Sequence, residues 1–424
     1  MPAFRILNFL ARVLLKNLFN VKPENVEVVN REHGPMLLMG NHSSVLDPFI
    51  VAIFIRRPVQ YVISDSQIRS PFLSFLLGLV GVIPKTKVVA DLDTVKRIVA
   101  VKRENGIIGI FPEGQSSWDG YGLPIVKATD KLVKSLKIPV YIAQIRGAYF
   151  TWPRWGRRFR RGEVRIFYSR LFDGDELKDL TVDEVGVAVR DALTYDAVAY
   201  QRERGLPYRG ARQAEYLERA LFVCPACDAI ATLHSHGRRL TCSSCGYSVH
   251  FSPFGHFEPR EGALRFETIR EWNLYQLEVF RRYLEERLDQ SAEANGAAQT
   301  IGAADDAAAP VGGVAEAHPP EALPVLISEP EVLIREGYKT LPLKAIGYGR
   351  LDLDPEAVRF HRHDGETWVF PVAEIEGINV QNNEHLEFYA YNNLYRVSTT
   401  SPRGNTYKWD VAVRHIRDRM APKT

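Results

Sequence analysis

Apolar residues along this chain change their period as they go, and each change marks a different kind of structure. Over the first 210 residues, short apolar runs alternate with stretches whose apolar positions recur every three or four residues. The runs at 26–29, 36–39, 60–63, 107–111, 140–145 and 164–168 predict strands. Helical spacing near 48–55, 71–80, 91–103, 126–136 and 181–203 predicts helices between them. That alternation defines an α/β domain, a sheet flanked by helices. Residues 266–288 carry apolar positions at helical spacing among many charges and predict one further helix. From about 326 the pattern becomes short strands between turn residues, at 357–361, 367–371, 375–380, 386–391 and 394–399. A closing helix over 407–419 puts Trp409, Val413 and Ile416 on one face. No internal repeat is present.

Residues 291–320 hold 11 alanines and no aromatic residue. Such a segment cannot bury enough apolar surface to offset the entropy of ordering, so 289–325 reads as a disordered linker. The 424 residues therefore divide into segments at 1–210, 221–257, 266–288, 289–325 and 326–424. No uninterrupted apolar window is long enough to cross a bilayer. Residues 4–19 are apolar but broken by Arg5, Arg12 and Lys16, without a small-residue cleavage site. They fit either a basic amphipathic helix lying in a membrane interface or the first core helix. The run at 72–83 is either a buried helix or a shallow lipid-facing patch.

The net charge of +3 hides an asymmetry: residues 1–170 carry 26 Lys and Arg against 12 Asp and Glu, and residues 171–424 carry 28 against 39. A basic front half argues for an anionic partner there. Among nucleic acid, a membrane surface and a phosphorylated ligand, composition does not choose.

Candidate chemistry begins where the apolar run PMLLMG ends, at Asn41-His42-Ser43-Ser44-Val45-Leu46-Asp47-Pro48. In open α/β sheets functional groups collect where a strand gives way to a helix. His42 emerges at such a point, and Asp47 falls at the first turn of the next helix. A carboxylate there can accept one imidazole N–H, fix the tautomer and leave the other nitrogen as a general base. The alternative is an Asx-type helix cap beside a bystander histidine. Phe111-Pro112-Glu113-Gly114-Gln115-Ser116-Ser117 likewise follows a strand, so Glu113 and Gly114 can face His42 across one crevice. Gly114 permits close approach of a ligand, and Glu113 can orient a hydroxyl.

Together these motifs resemble the glycerolipid acyltransferase family that includes the lysophosphatidic acid acyltransferases. The family pattern is N-H-x4-D, then G-x-I-P-x-x-[RK], then F-P-E-G-T-R-S, then an apolar strand opening with proline. Here the second block is Gly81-Val82-Ile83-Pro84-Lys85-Thr86-Lys87 and the fourth Ile138-Pro139-Val140-Tyr141-Ile142. The resemblance implies that His42 and Asp47 deprotonate an acceptor hydroxyl, which attacks the thioester of acyl-CoA or acyl carrier protein directly. It implies Lys87, Glu113, Gly114 and Ser116 as substrate-binding positions and a lysophospholipid or related acceptor. A serine nucleophile at Ser43 or Ser44 is not needed by the pattern. The family's phosphate-holding arginine is replaced by Ser116, which removes a bidentate clamp. The run Trp152-Pro153-Arg154-Trp155-Gly156-Arg157-Arg158-Phe159-Arg160-Arg161 could replace it or contact anionic headgroups.

Cys224, Cys227, Cys242 and Cys245 are the only cysteines and form two C-x2-C pairs. With none elsewhere to staple the chain, a reducing compartment fits. The pairs resemble a zinc ribbon with a structural Zn2+, rubredoxin-like iron being the other metal of these ligands. The C-terminal strands and helix are similar to the pleckstrin-homology class of small β-barrel or sandwich. The expectation is an acyltransferase, cytoplasmic and peripheral on an anionic membrane face, with no nucleic-acid partner and an oligomeric state left open. The rival is a non-catalytic lipid- or protein-binding scaffold built on the same domain.

Overall fold

The computed structural model describes residues 9, 12–13, 20–64, 82–85, 92–305, 323–338, 341–381, 384–401 and 404–420. Most of the 4–19 segment and of the apolar run at 72–83, together with Gly81, Thr86 and Lys87, lies outside them. Two compact units are present: one runs to Leu274, and the other takes in Tyr275–Tyr338 and Leu343–Thr424.

In the first unit the elements run β1 (Val21–Glu24), α1 (Glu27–Asn30), β2 (Met36–Gly40), α2 (Asp47–Ala52), β3 (Val59–Ser64), β4 (Val82–Lys85), α3 (Leu92–Arg103) and β5 (Ile107–Ile110). There follow α4 (Ala128–Leu136), β6 (Val140–Arg146), α5 (Ala148–Thr151), β7 (Val164–Phe172), α6 (Val182–Leu193) and α7 (Ala197–Arg204). The seven strands make one sheet in the order β1-β7-β6-β2-β5-β3-β4. Every neighbouring pair is parallel except β6 with β7. β2 is buried along its whole length because both faces of the sheet are covered. Met36 and Leu38 join the core on one side, and Leu37 and Met39 the core on the other. This is why its sequence is continuously apolar rather than alternating.

Three local expectations are corrected. The strand expected at 26–29 is helix α1: Asn25 adopts φ +57°, ending β1, and the valines then pack from a helical turn. Burial, not β-propensity, decides such a segment. The helix expected over 181–203 is two helices. Thr181 opens α6 with a reciprocal capping box to Glu184, and Asp196 caps α7 by accepting from Val198 and Ala199. The helix expected over 266–288 is α8 (Ile269–Asp305), so residues 289–305 of the expected linker are helical. Alanine cannot build a core, yet it has the highest helix propensity and extends a helix nucleated elsewhere. Residues 306–322 lie outside the described residues.

Before α8, the cysteine segment forms an antiparallel sheet of β8 (Leu233–His236), β9 (Arg239–Cys242), β10 (Ser248–Phe251) and β11 (Phe257–Glu261), ordered β11-β10-β9-β8. It shares its core with the α/β layer. Trp155 meets Phe251 edge-on at 5.9 Å, and the Arg160 guanidinium lies 4.7 Å from the Trp155 ring. The basic run at 152–161 is therefore largely a packing seam. Pro153, Arg154, Trp155, Gly156 and Arg160 are buried, whereas Arg157, Arg158, Phe159 and Arg161 stay exposed.

The second unit holds the rest of α8 and seven antiparallel strands: β12 (Ile327–Gly337), β13 (Lys344–Leu353), β14 (Ala357–Arg362), β15 (Thr367–Pro371), β16 (Glu376–Gln381), β17 (His385–Ala390) and β18 (Asn393–Thr399). Their order is β15-β14-β13-β12-β18-β17-β16, and α9 (Thr406–Met420) closes the domain. Trp409, Val413 and Ile416 form its buried face. Phe370 anchors the interior, 4.7 Å from Tyr395 and 5.2 Å from Phe388.

One position in the first sheet has no room for a side chain. A Cβ on Gly109 would lie 2.4 Å from the Tyr61 ring and 2.7 Å from Val59. Gly109→Ala is expected to destabilise the chain by about 1–3 kcal/mol through overpacking. Urea unfolding would read this as a lower midpoint at constant m-value; a change within about 0.5 kcal/mol would contradict the described packing.

Candidate active site

β2 and β5 are parallel neighbours with Met36 opposite Ile107, an offset of 71 residues. His42 and Glu113 keep that same offset beyond the strand ends, so the two loops leave the sheet side by side. The crevice between them follows from strand pairing alone.

The imidazole is fixed from several directions. Its Nδ1 lies 2.9 Å from Asp47 Oδ2. That same oxygen accepts the backbone N–H of Ser43 at 2.7 Å and of Ser44 at 2.8 Å. Asp47 is fully buried as the first residue of α2, with Pro48 next, so the carboxylate caps the turn and faces the histidine at once. The helix-cap alternative for the H-x4-D spacing does not form: Leu46 stands at the N-cap without a side-chain bond, and Asp47 instead closes the turn ahead of the helix. An oxygen that accepts two amide protons is an acceptor for the third group as well. Nδ1 therefore carries the ring proton, and Nε2 is left to take one. The His42 side chain retains 18% exposure, enough to reach a ligand. Asn41 anchors the strand end: its side chain donates to Ile145 O at 3.0 Å and accepts from Ile145 N–H at 2.6 Å.

Glu113 has a task beyond the hydroxyl orientation expected of it. One carboxylate oxygen accepts the His42 backbone N–H at 2.8 Å, and the other accepts the Leu123 N–H at 2.7 Å. Ser117 N–H returns the link by donating to His42 O at 3.2 Å. Burial pushes the Glu113 carboxyl up to about 7, against the lowering effect of these amide donors. Gly114 adopts φ +71°, which lets the loop turn just beyond Glu113.

At Ser116 the backbone carbonyl is engaged. Arg154 donates to Ser116 O at 2.8 Å and to Gln115 Oε1 at 2.9 Å, and its guanidinium lies 4.2 Å from the Trp118 ring. A buried guanidinium thus holds the loop where the family motif has its own arginine. Lys87 lies outside the described residues. The spacing of motifs missed the aromatic support: Phe111 sits 5.0 Å from the His42 ring and 5.6 Å from Tyr61. Tyr61 Oη and Asp47 Oδ1 are both buried and have no hydrogen-bond partner among the described residues.

Away from this crevice, Cys224, Cys227, Cys242 and Cys245 place their sulfur atoms within 4.8 Å of one another. The pairs Cys224–Cys245 and Cys227–Cys242 are 3.7 and 3.9 Å apart. Tetrahedral Zn2+ with Zn–S bonds of about 2.3 Å requires sulfur separations of about 3.8 Å, so the set fits a closed four-thiolate metal site. Two of the four thiols are buried and two exposed, and none is in a disulfide.

Residues 20–145 match the family model described as Acyltransferase. The front of this chain is thus similar to acyltransferases, and curated proteins that it resembles carry the name 1-acyl-sn-glycerol-3-phosphate acyltransferase. One is the chloroplastic 1-acyl-sn-glycerol-3-phosphate acyltransferase BAT2 of Brassica napus, 19% identical over 43% of this chain and 54% of that protein. Another is the 1-acyl-sn-glycerol-3-phosphate acyltransferase of Saccharomyces cerevisiae, 26% identical over 38% of this chain and 55% of that protein. The chain therefore spans about half the length of these relatives. The solved 1-acyl-sn-glycerophosphate acyltransferase PlsC of Thermotoga maritima aligns at 18% identity, covering 47% of this chain and 79% of its own, with a TM-score of 0.38.

Glu113 supplies a pH test. Its folded-state value lies above the ordinary 4.5, so its contribution to stability is full below pH 4.5 and is lost as pH rises through about 7. Relative to Glu113→Gln, which does not titrate, wild type is expected to lose roughly 3 kcal/mol of stability across that window. Denaturant unfolding of both proteins at several pH values measures the difference; a flat difference would exclude a buried, ionisable Glu113.

Proposed function

We propose that this protein transfers a fatty acyl chain from acyl-CoA or acyl carrier protein to a hydroxyl of a lysophospholipid or related acceptor. The observation that carries this reading is the His42–Asp47 pair, 2.9 Å apart at Nδ1, which leaves Nε2 as the nitrogen that can take a proton. The acceptor hydroxyl gives its proton to Nε2, and its oxygen forms a bond to the thioester carbonyl carbon. Collapse breaks the C–S bond, and the imidazolium returns the proton to the departing thiolate. No covalent acyl-enzyme is formed. Ser43 and Ser44 are buried and lend their amides to Asp47, which supports a direct transfer.

The acceptor is a membrane lipid taken at the surface of an anionic bilayer, on its cytoplasmic side. Exposed Val45 and Phe49 follow His42 in sequence by three and seven residues, and the basic front half would favour an anionic surface. No helix among the described residues is long and apolar enough to cross a membrane. With Ser116 in the arginine position and Arg154 engaged by the loop, an acceptor phosphate is held by other groups, Lys87 among them. Zn2+ at the four cysteines is structural: thiolates fill all its positions and hold a sheet too small for its own core.

His42→Ala and Asp47→Asn are each expected to lower acyl transfer about 10²–10⁴-fold with the fold retained. Mass spectrometry of lysolipid acceptors with and without phosphate, offered with acyl-CoA and acyl carrier protein, reads both activity and acceptor class. Wild-type protein that transfers no acyl chain to any of them would turn the reading to the non-catalytic scaffold. Metal analysis should find one zinc per chain, lost in Cys224→Ser; a metal-free folded chain would sink the zinc assignment.

A further inference from the structure

Asp119 stands six residues beyond Glu113 and is 5% exposed. A carboxylate that deep needs partners, and its partners come from two sides. From its own loop, Ser117 Oγ–H donates to Oδ1 at 3.2 Å and Tyr121 N–H at 3.1 Å. From the first turn of α8, Asn273 Nδ2 donates to Oδ2 at 2.8 Å and Arg270 Nη1 at 3.1 Å. The Arg270 guanidinium also covers the Tyr121 ring at 3.7 Å. Residues 270 and 273 are one helical turn apart and share a face, so a single turn grips the loop.

The same turn is wedged into the cysteine module. Trp272 is 1% exposed, with its ring 5.2 Å from Phe257 and 6.1 Å from Tyr247. Its Nε1–H donates to Val223 O at 2.8 Å. Val223 immediately precedes Cys224, and Tyr247 follows Cys245 by two positions, so Trp272 touches the frame of both knuckles. Just ahead of the helix, Phe257 N–H donates to Glu267 O at 2.7 Å. Loop, helix turn and knuckles form one continuous set of contacts that ends at His42, through Ser117 N–H on His42 O.

We infer that Asp119, gripped by Arg270 and Asn273, is a positioning residue for the acyl-transfer loop, and that the metal-bound knuckles set the grip through Trp272. The kinetic part of this inference rests on the acyl-transfer reading; the structural part does not. A metal-held module with little core of its own relaxes when the ion leaves. Relaxation withdraws Val223 O and Tyr247 from Trp272, and the helix turn then releases Asp119. Coupling along packed side chains of this kind is testable only by perturbing one end and reading the other.

The test uses the full-length, zinc-loaded chain and two readouts. Amide hydrogen exchange over residues 113–121 reports the grip without reference to activity. Steady-state kinetics separates KM for a lysolipid acceptor from kcat. Asp119→Asn is expected to raise exchange in this loop about tenfold and acceptor KM about fivefold, with kcat within about twofold. Combining it with Asn273→Asp puts the carboxylate on the helix side and should recover most of both. Stripping zinc with a chelator should loosen 113–121 to a similar degree while β2 and β5 keep their protection, and restored zinc should reverse it. Trp272→Phe, which keeps a ring but loses the Val223 bond, should give an intermediate loosening if Asp119→Asn does not fold. Loop exchange that ignores zinc removal, or acyl transfer that proceeds unchanged with zinc stripped, overturns the inference and leaves the acyl-transfer reading standing. A loop that responds as expected in a protein with no transferase activity does the opposite.

Discussion

A single oxygen atom, Asp47 Oδ2, receives three hydrogen bonds, from His42 Nδ1 and from the amides of Ser43 and Ser44. Much of the site depends on this convergence. It closes the turn between β2 and α2, places the imidazole at the end of the sheet and selects the tautomer that leaves Nε2 unprotonated. The site is water-poor at this point, since Asp47 is fully buried, so the charge-assisted bonds act at low local dielectric. One acceptor atom thus supports the imidazole and the turn at once.

Around that centre the chain uses buried charge as scaffolding. Glu113, Asp119 and Arg154 are each less than a tenth exposed, and each spends its polar atoms on loop backbone or on neighbouring side chains. A polar side chain that satisfies backbone donors fixes a loop more narrowly than apolar packing does, because hydrogen bonds are directional. The result is a rigidly held loop beside His42, with the four-cysteine module packed against the same layer through Trp155, Phe251 and Trp272.

Five strands of the front sheet, β2, β3, β5, β6 and β7, were readable because burial on both faces makes strands continuously apolar, as in β2, whereas β1 and β4 are short and each carries a proline. His42, Asp47 and Glu113 were legible for a related reason: each follows a strand whose apolar run ends sharply. Arg154 was read amiss. A run of arginines and aromatics has the composition of a lipid-facing patch, yet Arg154 and Arg160 are buried among Trp118, Trp155 and Phe251. No local pattern separates a stacked, buried arginine from an exposed one, since the difference lies in which distant element covers it. Asp119 carried no signal for the same reason: its partners, Arg270 and Asn273, are more than 150 residues away.

By itself, the sequence determined the candidate chemistry: a histidine with a carboxylate five residues on, a motif loop with Ser116 where the family pattern has arginine, and four cysteines at metal-ligand spacing. Those features are local, fixed by residue type and by separations short enough for backbone geometry to enforce. Tertiary structure alone decided what holds them. The parallel register of β2 and β5 set His42 against Glu113, and the packing of the cysteine module brought α8 to Asp119. It also turned half of a basic run inward and carried an alanine-rich stretch on as helix. Each of these depends on contacts between segments far apart in the chain, where burial outweighs local preference.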